Sequence, residues 1–274
     1  MTQELQTIII VKSIVGTRGG DSRGEAQGTI WADSAKSPDL LLVWSPYQAG
    51  FQLMGKPSIR EKANLFRIWF VQTILPFLKK HGMDYFEYSA DTKELWEWFR
   101  RMFPEIPFFI SKQKVFCLTE PTVNLMKPEG YHFERITDAF LQIRYRDKEF
   151  ILDEIRQAHG NRKADFEKNI IYTAIKNDTV VARASMLFRD SGFGNISVFT
   201  KEPDRRKGLS SYLVKKTVED MRERGLVPIW DCTEDNLASE RTARKCGFRQ
   251  IREELIGGFA TKEITSSAVQ AKGR

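Results

Sequence analysis

The stretch Ile196-Ser-Val-Phe-Thr200-Lys-Glu-Pro-Asp-Arg205-Arg-Lys-Gly208-Leu-Ser210 decides how the chain is read. Its first residues have the pattern of a strand. From Leu209 onward, apolar or small residues recur every four positions, at Leu209/Ser210, Leu213/Val214, Thr217/Val218 and Met221, as on one buried face of a helix. A strand therefore turns into a helix. Arg205, Arg206 and Lys207 stand at the start of that helix, where the positive end of the dipole disfavours cations, so an anion is expected to offset them. Gly208 lets backbone amides approach a ligand closely, and consecutive amides leading into a helix N-terminus suit a pyrophosphate.

Working outward, Gly225 and Pro228 end the helix, and Val227–Asp231 reads as the next strand. Asn236–Cys246 reads as another helix and Arg249–Ile256 as a last strand, followed by the polar tail Thr261–Arg274. Upstream, strands are expected at Tyr131–Ile136, Ile170–Lys176, Val180–Phe188 and Asn195–Thr200, with Asn177-Asp178 as a turn. Helices are expected across Asp138–His159 and at Lys163–Lys168.

The first part of the chain carries weaker signals. Gly16-Thr-Arg-Gly-Gly-Asp-Ser-Arg-Gly24 lacks the Gly-Lys-Ser/Thr ending of a phosphate loop and reads as an ordinary loop. Leu40–Trp44 and Phe51–Met54 form a hairpin around Ser45–Gly50. Ser58-Ile-Arg-Glu61 is a capping box for a helix of about five turns carrying Leu65, Phe66, Trp69 and Phe70. A strand at Asp84–Tyr88, a helix capped by the box Asp91-Thr-Lys-Glu94 and running to Phe103, and a strand at Lys114–Leu118 follow. Trp96, Trp98 and Phe99 fit a core-facing helix stripe better than a ligand platform. Thr119–Gly130, with two prolines and little periodicity, marks a boundary. Two domains are expected, a mixed αβ unit over 1–126 and a catalytic unit over 127–274, both of α/β class with mixed sheets.

The chain has 274 residues, 41% hydrophobic and 12% aromatic, which excludes a fibrous or largely disordered protein. Its apolar runs fall far short of the roughly 20 residues that cross a bilayer. The N-terminus has no cationic region ahead of Ile8–Val11, so it is not a secretory signal, and a cytoplasmic protein is expected. Three sparse cysteines make no disulfide framework, and His81, His132 and His159 stand alone, so no metal is expected. The formal charge is +7, with most of the excess after residue 126. That fits phosphate-bearing partners but is too interspersed with acids to demand nucleic acid.

The strand-to-helix turn resembles that of the GNAT acetyltransferase superfamily, whose signature Arg/Gln-x-x-Gly-x-Gly/Ala is met here by Arg205-Arg-Lys-Gly208-Leu-Ser210, with Ser as the final small residue. A second motif of that family is matched by Asn236, Ser239, Gly247 and Phe248. Clear similarity covers about Ile196–Phe248, and the order of elements extends it to Tyr131. More loosely, Gly28-Thr-Ile-Trp-Ala-Asp33, the Leu40–Gly55 hairpin and Leu226-Val-Pro-Ile-Trp230 are similar to a two-domain Gram-positive group that includes zwittermicin-type antibiotic self-resistance acetyltransferases. That resemblance implies a degenerate, GNAT-like N-terminal unit that walls the substrate cleft.

The resemblance implies acetyl-CoA as cosubstrate, its pyrophosphate on the amides of Arg205, Arg206, Lys207, Gly208, Leu209, Ser210 and Ser211, and its pantetheine along Val198, Phe199 and Thr200. Asn236 and Ser239 would bind polar atoms of the same molecule. The thioester would lie where the strands at Asn195–Thr200 and Val227–Asp231 splay, with an amide near Val198 or Phe199 stabilising the oxyanion by roughly 3 kcal/mol. An alkyl amine with a pKa of about 10 needs a base, for which Asp231 and Glu234 are candidates, although both are equally readable as exposed loop acids or caps. Many family members place a general-acid Tyr where this chain has Ala243; either the thiolate leaves unassisted, or Tyr172, Tyr212 or Cys246 substitutes. The acceptor implied is a small-molecule amine, such as an amino-bearing antibiotic, acted on by a monomer or homodimer. The alternatives are a protein or peptide N-acetyltransferase, a non-catalytic acyl-CoA sensor, or a nucleic-acid module that stacks bases on Trp96–Arg101.

Overall fold

The computed structural model describes residues 28–34, 36, 38–45, 50–56, 63–120, 125–159, 166, 169–190 and 192–264. The Gly16–Gly24 loop, the Ser58–Glu61 capping box and nearly all of the Lys163–Lys168 helix fall outside them.

The first half runs β1 (Thr29–Ala32), β2 (Leu40–Ser45), β3 (Gly50–Gly55), helix α1, β4 (Tyr85–Ala90), α2 (Lys93–Arg101) and β5 (Phe109–Cys117). In α1, helical turns at Ala63–Trp69 and Leu75–Lys80 flank a π turn at Phe70–Ile74. Pro76 has no N–H to give the regular ladder, and the wider turn just before it absorbs the defect, so the helix continues past the proline. The N-cap of α2 is Thr92, not Asp91: its backbone is extended and its hydroxyl accepts the Leu95 N–H at 3.1 Å. Trp96, Trp98 and Phe99 are buried in the core of this half, which removes the stacking surface that a nucleic-acid module would need.

The second half opens with β6 (His132–Arg135), α3 (Asp138–Gln142) and α4 (Glu149–His159). It then repeats the order of the first: β7 (Ile170–Lys176), β8 (Thr179–Asp190), β9 (Phe193–Thr200), α5 (Leu209–Glu223), β10 (Val227–Thr233), α6 (Leu237–Lys245) and β11 (Arg249–Ala260). All eleven described strands form one mixed sheet in the order β1-β2-β3-β4-β11-β5-β10-β9-β8-β7-β6.

That order exchanges a strand between the halves. The last described strand, β11, lies between β4 and β5, while β5 lies between β11 and β10. The cores follow. Phe259 of β11 packs with Phe70, Phe86, Phe99 and Phe103 in the first half, and Phe116 of β5 joins Trp230, Phe248 and the apolar face of α5 in the second. A third cluster packs α3 and α4 against β7 and β8. The last strand extends to Ala260, four residues beyond the sequence expectation, because its C-terminal end pairs with β4 (Phe259↔Phe86).

Gly258 is what allows β11 to approach β4. A Cβ there would lie 1.9 Å from the Phe86 carbonyl oxygen, a backbone atom that cannot rotate away. Gly258→Ala is therefore expected to cost on the order of 3 kcal/mol of stability, read as a lowered midpoint in urea unfolding. An unchanged midpoint would show that the two strands separate freely.

Candidate functional site

Strands β9 and β10 are parallel but pair only at Val227↔Phe193, Pro228↔Gly194 and Ile229↔Asn195. Beyond these they diverge, as β10 stays with β5 through Thr233. A cleft of about 530 Å³ opens at the split, a size suited to a small ligand. Val198, Asn195, Trp230, Asp231 and Ser239 line it from the second half, α4 contributes Phe150, Asp153 and Glu154, and β3, β4 and β5 contribute Phe51, Glu87 and Gln113.

Asp231 lies on β10 two residues past the last β9 pair. Asn195 Nδ2 donates to its Oδ1 at 2.8 Å, and Gln113 Nε2, from the exchanged strand β5, donates to its Oδ2. Burial pushes the Asp231 carboxyl above the usual carboxylate range, against the pull of these two amides and of Arg252. It is thus a more basic carboxylate than a free aspartate. Glu234 is exposed and serves elsewhere, its Oε1 accepting the Lys112 N–H at 3.2 Å while its own N–H donates to the Lys112 carbonyl at 2.8 Å. It pins the turn after β10 to β5 and does not line the cleft.

At the far end of β9, a turn leads into α5. Arg206 (φ 64°) and Gly208 (φ 82°) both adopt left-handed backbone, and no side chain caps the helix. The first-turn amides of a helix have no acceptor within it, and left-handed residues beside them aim successive N–H groups at one point. Lys207 is offset from within the turn. Its Nζ contacts Asp204 Oδ1 at 2.8 Å, and Tyr131 donates to the same oxygen at 2.6 Å, which together hold Asp204 below the usual carboxylate range. Arg205 Nε donates to the Thr200 carbonyl at 3.1 Å, and the hydroxyls of Thr200 and Ser210 are 2.8 Å apart. Leu209 and Ser211 are buried in the packing of α5, whereas Phe199 is exposed and packs on Phe150.

Asn236 caps α6, its Oδ1 accepting the Ser239 N–H at 3.1 Å, and Ser239 Oγ accepts the buried Trp230 Nε1–H at 2.9 Å. The three candidate substitutes for an acid at Ala243 all lie away from the cleft. The Tyr172 hydroxyl faces Asp220 at 3.4 Å, Tyr212 packs edge-on against Phe133, and Cys246 is buried against the Ser211 carbonyl with its thiol pushed up to about 11 by desolvation. Ala243 is itself fully buried.

The polar floor of the cleft was not foreseen from the sequence. Glu154 is 7% exposed, pairs with Arg183 Nε at 2.6 Å and accepts from Ser185 Oγ at 2.9 Å; Arg183 also reaches Ser185 and Ser197. A signal existed: Glu154 sits on the apolar stripe of α4 beside Ile151 and Ile155, and Arg183 lies between Ala182 and Ala184 in a buried strand.

The family model for GNAT acetyltransferases matches residues 9–254. A curated relative, "Uncharacterized N-acetyltransferase YdfB" of Bacillus subtilis, is 27% identical over 89 residues; the match spans 32% of this chain and 34% of that protein's length. Among solved structures, a GCN5-related N-acetyltransferase-like protein from Streptococcus suis is 17% identical, with 94% of this chain and 98% of that one covered at a TM-score of 0.58. A GCN5-related N-acetyltransferase from Kribbella flavida is 14% identical, with 94% and 93% covered at 0.57. A tandem GNAT protein from the clavulanic acid biosynthesis pathway is 11% identical, with 95% and 97% covered at 0.56. At these identities the likeness is one of fold.

Arg183→Met leaves Glu154 buried without its counter-ion, and about 3 kcal/mol of stability should be lost at neutral pH. Burial already holds the Glu154 carboxyl above its usual range, and loss of the guanidinium raises it further. The penalty is therefore full above that raised value and shrinks as acid protonates the group. Urea unfolding of the variant at neutral and mildly acidic pH checks this, and a loss that did not shrink in acid would contradict it.

Proposed function

The chain belongs to the GNAT acetyltransferase family, and we propose that it transfers the acetyl group of acetyl-CoA to the amine of a small molecule, a class that includes amino-bearing antibiotics. The observation that carries this reading is the placement of Asp231. It borders the split between β9 and β10, and the same strand β9 leads to a turn with two left-handed residues ahead of a helix without a side-chain cap.

The residues fit the cosubstrate. The Arg205 N–H is given to the Glu202 carbonyl at 3.2 Å, so amides from Arg206 to Ser211 would hold a pyrophosphate, and Arg206 in left-handed backbone is the kind of local strain that persists where a ligand rewards it. Past Asn195, β9 has no β10 partner, so Val198, Phe199 and Thr200 can bind an extended chain as an added strand. Asn236 is occupied as a helix cap, so of the second motif's polar groups Ser239 is the one that faces the cleft. Acetyl-CoA supplies an activated acyl thioester at the split when bound.

Asp231 then takes the proton from the ammonium of the acceptor. Its raised basicity suits this task, and the amides of Asn195 and Gln113 keep the carboxylate from rotating. A backbone N–H of β9 near Val198 stabilises the developing oxyanion. With Tyr172, Tyr212 and Cys246 remote, the thiolate departs without a protein acid. The size of the cleft and its lining from both halves favour a small acceptor over a peptide, and the repeated order of elements supports a GNAT-like first half that walls the substrate side.

Two measurements test the reading. Gly208→Glu places a carboxylate in the phosphate site, and calorimetric titration should show acetyl-CoA binding abolished while thermal unfolding confirms the fold. Asp231→Asn should retain acetyl-CoA binding yet lose about a hundredfold to ten-thousandfold in turnover, and with it the acid limb of the pH profile. That limb should lie above the ordinary aspartate range, since the base works only when deprotonated. Wild-type rates in either variant would overturn the assignment.

A further inference from the structure

The carbon–sulfur bond that breaks in acetyl transfer leaves its electron pair on sulfur, and Ala243 offers that sulfur no donor. The same helix does so one turn earlier. Ser239 stands four residues before Ala243 on α6, on the same helix face, and it lines the cleft. Two hydrogen bonds fix its position. Asn236 Oδ1 accepts its N–H at 3.1 Å, and its Oγ accepts the Nε1–H of Trp230 at 2.9 Å. Trp230 is the first residue of β10 past the last pair with β9, so the hydroxyl is tied to the split itself. A serine oxygen has one hydrogen to give and two lone pairs to receive with. The indole takes a lone pair, which turns the O–H away from Trp230, and the bond it donates strengthens the one the hydroxyl gives in turn. The hydroxyl already serves a sulfur, the Cys232 thiol on the same strand. A neutral thiol is a weak acceptor, and a thiolate is a far stronger one.

Resting on the acetyl-transfer reading above, we propose that Ser239 is a catalytic residue that stabilises the departing thiolate of CoA, donating its O–H to the sulfur without giving up the proton. The amine nitrogen bonds to the carbonyl carbon, and the carbon–sulfur bond breaks with its electron pair on sulfur. The proton that nitrogen sheds on becoming an amide then neutralises the thiolate as it leaves. Ser239 acts from the α6 side of the split and Asp231 from β10. The charged groups around the hydroxyl are Asp231, Glu240 on α6 and Lys114 on β5. Glu240 and Lys114 pair with each other at 2.7 Å, and Asp231 carries the proton of the ammonium when the sulfur departs. The stabilisation of the sulfur therefore falls to a neutral hydroxyl.

The test uses the full chain saturated with CoA itself, so it needs no acceptor amine. The ultraviolet absorbance of the thiolate is followed across pH, with the unliganded protein titrated alongside to subtract Cys117, Cys232 and Cys246. In Ser239→Ala the midpoint of the bound CoA thiol should lie about one pH unit above that in the wild-type complex, a roughly tenfold loss of thiolate and the worth of one charge-assisted hydrogen bond. Ser239→Thr keeps the hydroxyl and should titrate as the wild type does. Equal midpoints in wild type and Ser239→Ala, or a threonine variant that titrates like the alanine one, would overturn the proposal and leave the acetyl-transfer reading standing. Absence of CoA binding in calorimetry would overturn both.

Discussion

The ladder between β5 and β11 is the contact on which the molecule depends. It runs antiparallel from Arg249↔Cys117 to Gly258↔Phe109 at the middle of the sheet, and it joins a strand from the first half to the last strand of the second. Each half receives a strand that completes its core: Phe259 in one, Phe116 in the other. Neither half can bury its apolar face fully without the other. The pairing also closes a very long loop, since residues near 113 meet residues near 254, so its entropic cost must be offset by burial of both strands at once. Cooperative folding of the two halves follows, even though the chain carries a boundary-like segment after β5.

The same exchange builds the site. Gln113 holds Asp231 because β5 lies beside β10, and Ile256 enters the cleft because β11 lies beside β4. Side chains from β3, β4 and β5 therefore share a cavity with those of β9 and β10, strands that follow them by more than 70 residues of sequence. The candidate site lies where the halves are joined rather than within one of them.

Local features of this arrangement could be read from the chain. The turn at Arg205–Ser211, the hairpins and the helix begun by Asn236 are written in spacing and capping residues, which act over a few positions, and the structure places elements there. Where the reading failed, a distant partner decided the outcome. Asp231 and Glu234 looked alike as acids at a strand end, but one meets Gln113 and Asn195 while the other bonds the backbone of Lys112. The strand exchange left no local trace, because β5 and β11 have ordinary strand patterns whichever neighbours they find. The pair of Glu154 and Arg183 left only the oddity of charged residues on apolar faces.

Charge separates the two ends of the site along β9. At the α5 end, left-handed residues precede a helix with no side-chain cap, and the nearby Asp204 is paired with Lys207 and hydrogen-bonded by Tyr131, which leaves the turn hospitable to a phosphate. At the split, carboxylates prevail and desolvation raises Glu87, Glu154 and Asp231 together. Raised carboxylates cost stability at neutral pH, because the folded state holds their charge less well than water does. A ligand that pairs with them on binding would return part of that loss. The candidate site thus joins, along β9, a turn suited to an anion and a cleft rich in carboxylates, two ends of opposite electrostatic character.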